Sequence, residues 1–107
     1  MYKIQYSPRA KEDLLRVKNY LIDEFDEELA VKIVKSVINK IKNLAEYPLM
    51  GRPLSNMIDV ATDYMYIVIG KNYIFYRNED KCVKIIRILD VRQDFMRALF
   101  NIREVDV

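Results

Sequence analysis

Hydrophobic residues recur along this chain first with the period of a strand and then with the period of a helix, and the change falls at a proline. Residues Tyr2 to Tyr6 alternate between apolar and polar positions, which predicts a strand. Ser7 and Pro8 follow, a pair suited to the cap and the first turn of a helix. The next apolar positions lie three or four residues apart and predict one buried helical stripe: Ala10, Leu14, Val17, Leu21 and Phe25.

A second and broader apolar face runs from about Glu27 to Glu46 and predicts a longer helix. Its apolar positions are Ala30, Ile33, Val34, Val37, Ile38, Ile41, Leu44 and Ala45. Acidic residues stand at its start, and Lys40 and Lys42 stand near its end, an arrangement that favours the helix dipole. Because only one or two residues separate the two helices, we expect an antiparallel helical hairpin packed on a sheet. A coiled-coil dimer is the alternative.

The rest of the chain, residues 47–107, predicts a loop, three strands and a final short helix. Residues 47–62 contain two prolines and a glycine and keep neither period, which is typical of a loop. Strands are predicted over residues 63–69, 72–77 and 82–89, joined by short turns at residues 70–71 and 78–81, so they must be antiparallel. The apolar run Phe95 to Phe100 predicts a short helix, and residues 101–107 are expected to fray.

The predicted fold class is therefore α+β, with the order β-α-α-β-β-β and a short C-terminal helix. The helical hairpin should pack on a mostly antiparallel sheet of four strands. Residues 1–107 are expected to form a single domain, because this length can bury one core and half of the residues are apolar.

Composition excludes several kinds of chemistry. The chain has no histidine, which removes Ser-His-Asp sites, His-ligated zinc and histidine acid/base catalysis. Only two glycines are present, so no phosphate-binding glycine-rich motif exists, and no cofactor or metal is expected. The single cysteine, Cys82, indicates a reducing compartment, and no apolar run approaches the length of a membrane span. We therefore expect a cytoplasmic protein without a membrane partner.

Four segments together resemble the RelE/ParE superfamily of bacterial toxins: SPRAKEDLLRVKNYL, LAEYPLMGRPLS, NYIFYRNEDKCVKIIRIL and VRQDFMRALF. The resemblance implies the toxin of a type II toxin–antitoxin pair, inhibited by a small cognate antitoxin whose toxin-binding segment is acidic. It also implies one of two targets. RelE-like members are metal-independent endoribonucleases that cut messenger RNA on the ribosome, and ParE-like members poison DNA gyrase.

Cationic residues near the strand ends are the candidate site. Arg92 matches the arginine that follows the last strand in such toxins, and with Arg87 and Arg77 it is a candidate for phosphate or target contact. Further candidates for binding are Arg52, Lys71, Tyr76 and Arg97. Residues 71–103 hold eight cations and four carboxylates, so their net charge of +4 exceeds the +2 of the whole chain. Each arginine has an ordinary structural alternative, such as pairing with Asp63, Asp90 or Asp94, or with Asp59 for Arg52.

Departures from the ribonuclease pattern leave the target open. Phe95 occupies the position of the family's C-terminal tyrosine and has no group that transfers protons. Met65, Ile67 and Ile74 stand roughly where ribonuclease members carry lysine or arginine. These departures count against RNA cleavage and are neutral toward gyrase inhibition, whereas the segment NYIFYR followed by an Ile-Arg-Ile-Leu strand resembles the ParE branch more closely. The departures also motivate an alternative in which the chain is non-toxic and acts only as a binding partner or co-repressor with its antitoxin.

Overall fold

A computed structural model describes residues 1–102 as two helices and a short third helix around one mixed sheet. The strands are β1 (Lys3–Tyr6), β2 (Arg52–Pro53), β3 (Met65–Ile69), β4 (Asn72–Glu79) and β5 (Cys82–Asp90). They lie in the order β1-β5-β4-β3-β2, with β1 parallel to β5 and all other pairs antiparallel. The α+β class and the predicted element order are confirmed. Most of the tail that was expected to fray lies outside the described residues.

Both long helices begin at side-chain caps. Helix α1 (Pro8–Glu24) starts after Ser7, whose hydroxyl accepts a hydrogen bond from the N–H of Ala10 at 3.0 Å. Helix α2 (Glu27–Lys42) starts after Asp26, whose carboxylate accepts from the N–H of Leu29 at 2.7 Å. Each bond satisfies a backbone donor that the first turn leaves free. The second helix ends earlier than predicted, because residues 43–45 tighten into a 3-10 turn.

The strand count was predicted one too low. Arg52 and Pro53 pair antiparallel with Tyr66 and Met65, and so add a fifth strand of two residues inside the predicted loop. A proline is tolerated there because a strand at the edge of a sheet has one side without hydrogen-bonding neighbours. The other loop residues surround this strand, and residues 54–56 form a second 3-10 turn.

The sheet has a separate core on each face. Helices α1 and α2 cover the first face, where Ile74, Tyr76 and Ile85 are fully buried. The short helix α3 (Phe95–Phe100) and the residues around Leu54 cover one part of the second face, over Phe75 and Leu89. Successive residues of a strand point to opposite faces, so the middle of β4 is buried on both sides.

Helix α3 does not cover the remainder of the second face. We call this part the open face and define it by Lys3, Gln5, Arg77, Glu79 and Lys84, which belong to β1, β4 and β5. In residues 1–102, no helix combines the length and apolar character needed to cross a membrane.

Candidate functional site

Cations from two neighbouring strands stand side by side on the open face. Arg77 of β4 lies opposite Lys84 of β5, and Gln5 of β1 lies on the other side of Lys84. Glu79 binds both cations, with its Oε2 at 3.0 Å from Arg77 Nη2 and 3.3 Å from Lys84 Nζ. The hydrogen bond and charge of Lys84, with the charge of Arg77, lower the pKa of Glu79. Glu79 is therefore ionised and a weak base.

A cavity of about 590 Å³ opens beside the open face, between the start of α1, strand β5 and helix α3. We call it the cationic cleft. Arg9 from the first turn of α1 and Arg97 from α3 both line it, and both side chains are exposed. Within residues 1–102, no carboxylate lies within 4 Å of either guanidinium. Both arginines are thus available to an anionic partner.

Arg87 lies at the wall of the cleft but is held by the protein itself. Its Nε and Nη2 donate to the carboxylate of Asp13 at 2.7 and 3.0 Å, and its Nη1 donates to the carbonyl of Ala98 at 3.4 Å. The Asp13 hydrogen bond raises the pKa of Arg87, although burial opposes it. Arg87 therefore connects α1, β5 and α3 and has little surface for a target.

Asp13 is fully buried and was not among the residues predicted from the sequence. A signal for it exists in the sequence. Asp13 lies three residues after Ala10 and four before Val17, so it falls on the apolar stripe of α1. A carboxylate in such a stripe is almost never buried without a cation. Arg9 was also missed, since one arginine in a first helical turn carries no distinctive pattern.

Arg92 and Lys71 lie away from the cationic cleft, in a second cavity of about 640 Å³ between the helical hairpin and the end of the sheet. We call it the apolar groove. Its apolar wall includes Val17, Leu21, Phe25, Ile33, Val37, Ile69 and Ile88. Arg92 is exposed and pairs with Asp90, Nε to Oδ1 at 2.9 Å, the structural alternative expected for it. This hydrogen bond lowers the pKa of Asp90.

Tyr76 and Arg52 differ in exposure. Tyr76 is fully buried, and its hydroxyl donates to the carbonyl of Pro48 and accepts from the N–H of Gly51, both at 3.0 Å. It fastens the loop to the sheet and has no surface for binding. Arg52 is exposed on β2, and among residues 1–102 no carboxylate, including Asp59, lies within 4 Å of it.

Phe95 belongs to an aromatic cluster beneath α3. Its ring lies 5.7 Å from that of Tyr73 and 5.4 Å from that of Phe75. Residues Met65, Ile67 and Ile74 point to the opposite side, into the core below the helical hairpin. The absence of cations at those three positions therefore does not reduce the positive charge of the open face or of the cationic cleft.

The residues of the cationic cleft are suited to holding an anion and poorly suited to moving a proton. Its described lining contains no carboxylate, tyrosine or cysteine. The hydroxyl of Ser7 is already used, since it donates to the carbonyl of Ile86 at 2.7 Å and accepts from Ala10. Among residues 1–102, no three His, Cys, Asp or Glu side chains are grouped as metal ligands.

Comparison with known proteins adds a family and a fold. The sequence model of the ParE toxin of the type II toxin–antitoxin system, parDE, matches residues 4–95. The structure is similar to a chain of the chromosomal ParDE system from P. aeruginosa, with a TM-score of 0.72 and 20% identity over 84% of this chain and 96% of that one.

A second similar structure is a chain of the RelBE2 toxin–antitoxin complex from Mycobacterium tuberculosis, with a TM-score of 0.59. The identity is 19%, over 83% of this chain and 96% of that one. At such identities, the two likenesses show a shared fold. No curated protein sequence matches the chain.

Proposed function

The chain belongs to the ParE toxin family of type II toxin–antitoxin systems, and from this premise we propose that it arrests bacterial growth by inhibiting DNA gyrase in the cytoplasm. The observation that carries the proposal is the cationic cleft, in which Arg9 and Arg97 are exposed without carboxylate partners among residues 1–102. Such a surface binds an anionic target and needs no chemistry of its own. The match to the ParE model favours the gyrase-directed branch.

Cleavage of messenger RNA is the less favoured function. It requires a group to activate the 2′-hydroxyl and another to protonate the leaving oxygen. The described cleft supplies neither, and the nearby carboxylate, Glu79, is a weak base because its pKa is lowered. Phe95 has no proton to exchange, and it is packed against Tyr73 and Phe75.

For the antitoxin, we propose that an acidic amphipathic segment binds in the apolar groove. The groove combines an apolar wall with four cations at its rim: Arg16, Lys40, Lys71 and Arg92. Among the described lining residues the one carboxylate is Asp90, which pairs with Arg92, and Arg16 pairs with Asp13. Lys40 and Lys71 are therefore the cations without a carboxylate within 4 Å among residues 1–102. An amphipathic helix or strand with carboxylates along its polar edge matches both features. Gln93 lines the groove just before α3 begins, so a segment anchored there can extend over α3 toward the cationic cleft.

Growth and gyrase assays test the toxin proposal. The chain is induced without an antitoxin, and growth, a DNA-damage reporter and the ends of ribosome-bound messages are followed. Purified chain is also added to a gyrase supercoiling assay. We expect growth arrest, an induced reporter, intact messages and inhibited supercoiling. Codon-positioned cuts in messages would instead establish the ribonuclease function. Unchanged growth with confirmed soluble protein would support the non-toxic partner.

Paired charge reversals test whether the cationic cleft is the target surface. Arg9→Glu with Arg97→Glu should abolish growth arrest and supercoiling inhibition. Lys32→Glu with Lys35→Glu, on the exposed side of α2, makes the same change in net charge away from the cleft and should retain both. Equal loss in the two variants would show that only overall charge matters.

The antitoxin proposal has a separate test. Lys71→Glu with Arg92→Glu should weaken capture by the antitoxin while supercoiling inhibition by the free toxin remains. Undiminished capture would place the antitoxin on another surface.

A further inference from the structure

We infer that the open face and the cationic cleft together bind the phosphate backbone of duplex DNA, so that the toxin contacts the DNA on which its target enzyme works. This inference rests on the proposed function, because it names the ligand of the same surface. The fold joins the two areas, since strand β5 supplies Lys84 to the open face and Ile86 to the cleft.

This surface gathers cations from five elements of the fold. Five cations lie on it: Lys3, Arg9, Arg77, Lys84 and Arg97. Glu79 pairs with Arg77 and Lys84, and Asp94 caps α3 close to Arg97, whereas no carboxylate of residues 1–102 lies within 4 Å of the guanidinium of Arg9 or Arg97. Another group of acidic residues lies at the start of α2. A basic surface of this kind is an electrostatic footprint of nucleic-acid binding, and its cations are separate from those that line the apolar groove.

The cations are supported in ways that suit phosphate contact. Lys84 stands between Arg77 and Gln5 across three adjacent strands, so the row is fixed by the sheet. Helix α3 carries Arg97, and the buried pair of Arg87 with Asp13 ties that helix to β5 and α1. Arginine and lysine on rigid elements need no ordering of the backbone when they bind a phosphate.

The aromatic side chains argue for a duplex over a single strand. Binding of single strands depends on exposed rings on which bases stack. On this side of the sheet the rings pack against one another, with centroids 5.4 to 6.5 Å apart: Tyr64, Tyr66, Tyr73, Phe75, Phe95 and Phe100. Lys3, Arg9 and Arg97 are exposed, and Arg77 and Lys84 are half-buried at the surface, which fits contact with the backbone of a duplex.

Fluorescence anisotropy with a labelled 20-base-pair DNA duplex tests the inference, and single-stranded RNA of the same sequence serves as the competing ligand. With about four phosphate contacts, the affinity for the duplex should fall about 100-fold between 50 and 200 mM salt. Arg97→Ala and Lys84→Ala should each lower the log–log salt slope by about one. The exposed Lys35→Ala on α2 is the matched control and should leave the slope unchanged.

Three results would overturn the inference: no duplex binding at 50 mM salt, binding that the two variants leave unchanged, or binding to the RNA at least as tight as to the duplex. Gyrase inhibition without duplex binding would overturn this inference and leave the proposed function standing. Duplex binding with no effect on gyrase would support the DNA-binding surface and overturn the proposed function.

Discussion

The carboxylate of Asp13 joins helix α1 to the last strand, where it accepts hydrogen bonds from Arg87 Nε at 2.7 Å and from the N–H of Ile88 at 2.9 Å. It also pairs with Arg16 Nη2 at 3.0 Å. Both partners of the Asp13–Arg87 pair are buried. An ion pair of this kind contributes little net stability compared with apolar residues in the same place. Removing one partner, however, leaves the other charge buried without a counter-charge.

Asp13→Ala should therefore lower the free energy of unfolding by about 3–5 kcal/mol, because it leaves the buried Arg87 guanidinium without a counter-charge. Asp13→Asn keeps an acceptor oxygen and should cost less. Urea denaturation measures both values, and Asp23→Ala at an exposed position of α1 is the control, expected within about 0.5 kcal/mol of the parent chain. A small effect of Asp13→Ala would mean that water reaches Arg87.

Gly51→Ala should destabilise the protein by about 1–3 kcal/mol, the usual effect of adding atoms to a packed site. A Cβ there would collide with the Tyr76 hydroxyl and lie 2.7 Å from the carbonyl oxygen of Tyr66. Thermal unfolding measures the loss. Combining Gly51→Ala with Tyr76→Phe removes the colliding hydroxyl. The double variant should therefore lose less stability than the sum of the losses in the single variants. Strict additivity would contradict this account.

Stability should fall at alkaline pH because burial raises the pKa of Tyr76 above its ordinary value of 10.0. The unfolded chain then loses the phenolic proton before the folded chain does. The contribution of protonated Tyr76 to the free energy of unfolding is complete below pH 10, and it is lost as pH rises through the higher pKa of the folded state. Burial raises the pKa of Tyr6 in the same direction.

Urea denaturation between pH 9 and 11.5 measures this decline. It should be shallower in Tyr76→Phe than in the parent chain, whereas Tyr47→Phe, at an exposed position, should leave the slope unchanged. Parallel curves for all three proteins would show that Tyr76 titrates normally.

Phe95→Ala should loosen helix α3, which has no fully buried residue of its own and depends on this ring for contact with Tyr73 and Phe75. The loss in the free energy of unfolding should stay below the roughly 3–5 kcal/mol expected when a fully buried phenylalanine is replaced by alanine. Hydrogen exchange of the α3 amides measures it directly. Val91→Ala, exposed just before α3, is the control, and faster exchange in both variants would point to general destabilisation.

Local patterns predicted the elements of the fold well. Periodicity and caps placed both long helices, and the short turns placed the antiparallel strands, because these features depend on residues close in the chain. Strand β2 was missed because two extended residues have no periodicity. Its pairing with β3 exists only once the loop is folded against the sheet.

A register shift in β5 shows a different limit. Strict alternation from Val83 and Ile85 would place Arg87 in the core under helices α1 and α2, but Ile88 lies there instead. The cause is one extra residue in β5, seen as the shift in pairing between Phe75 and Tyr76. A bulge of this kind changes which face each later side chain takes, and nothing local in the sequence marks it.

The sequence by itself determined the element order, the helical hairpin and the concentration of cations in the last third of the chain. Tertiary structure alone decided where each cation lies: Arg87 is neutralised by a residue 74 positions away, Arg92 lines the apolar groove, and Arg97 and Arg9 both line the cationic cleft. The physical reason is range. Element formation depends on spacings of two to four residues, whereas ion pairing and exposure depend on which distant segments the packing of helices on a sheet brings together.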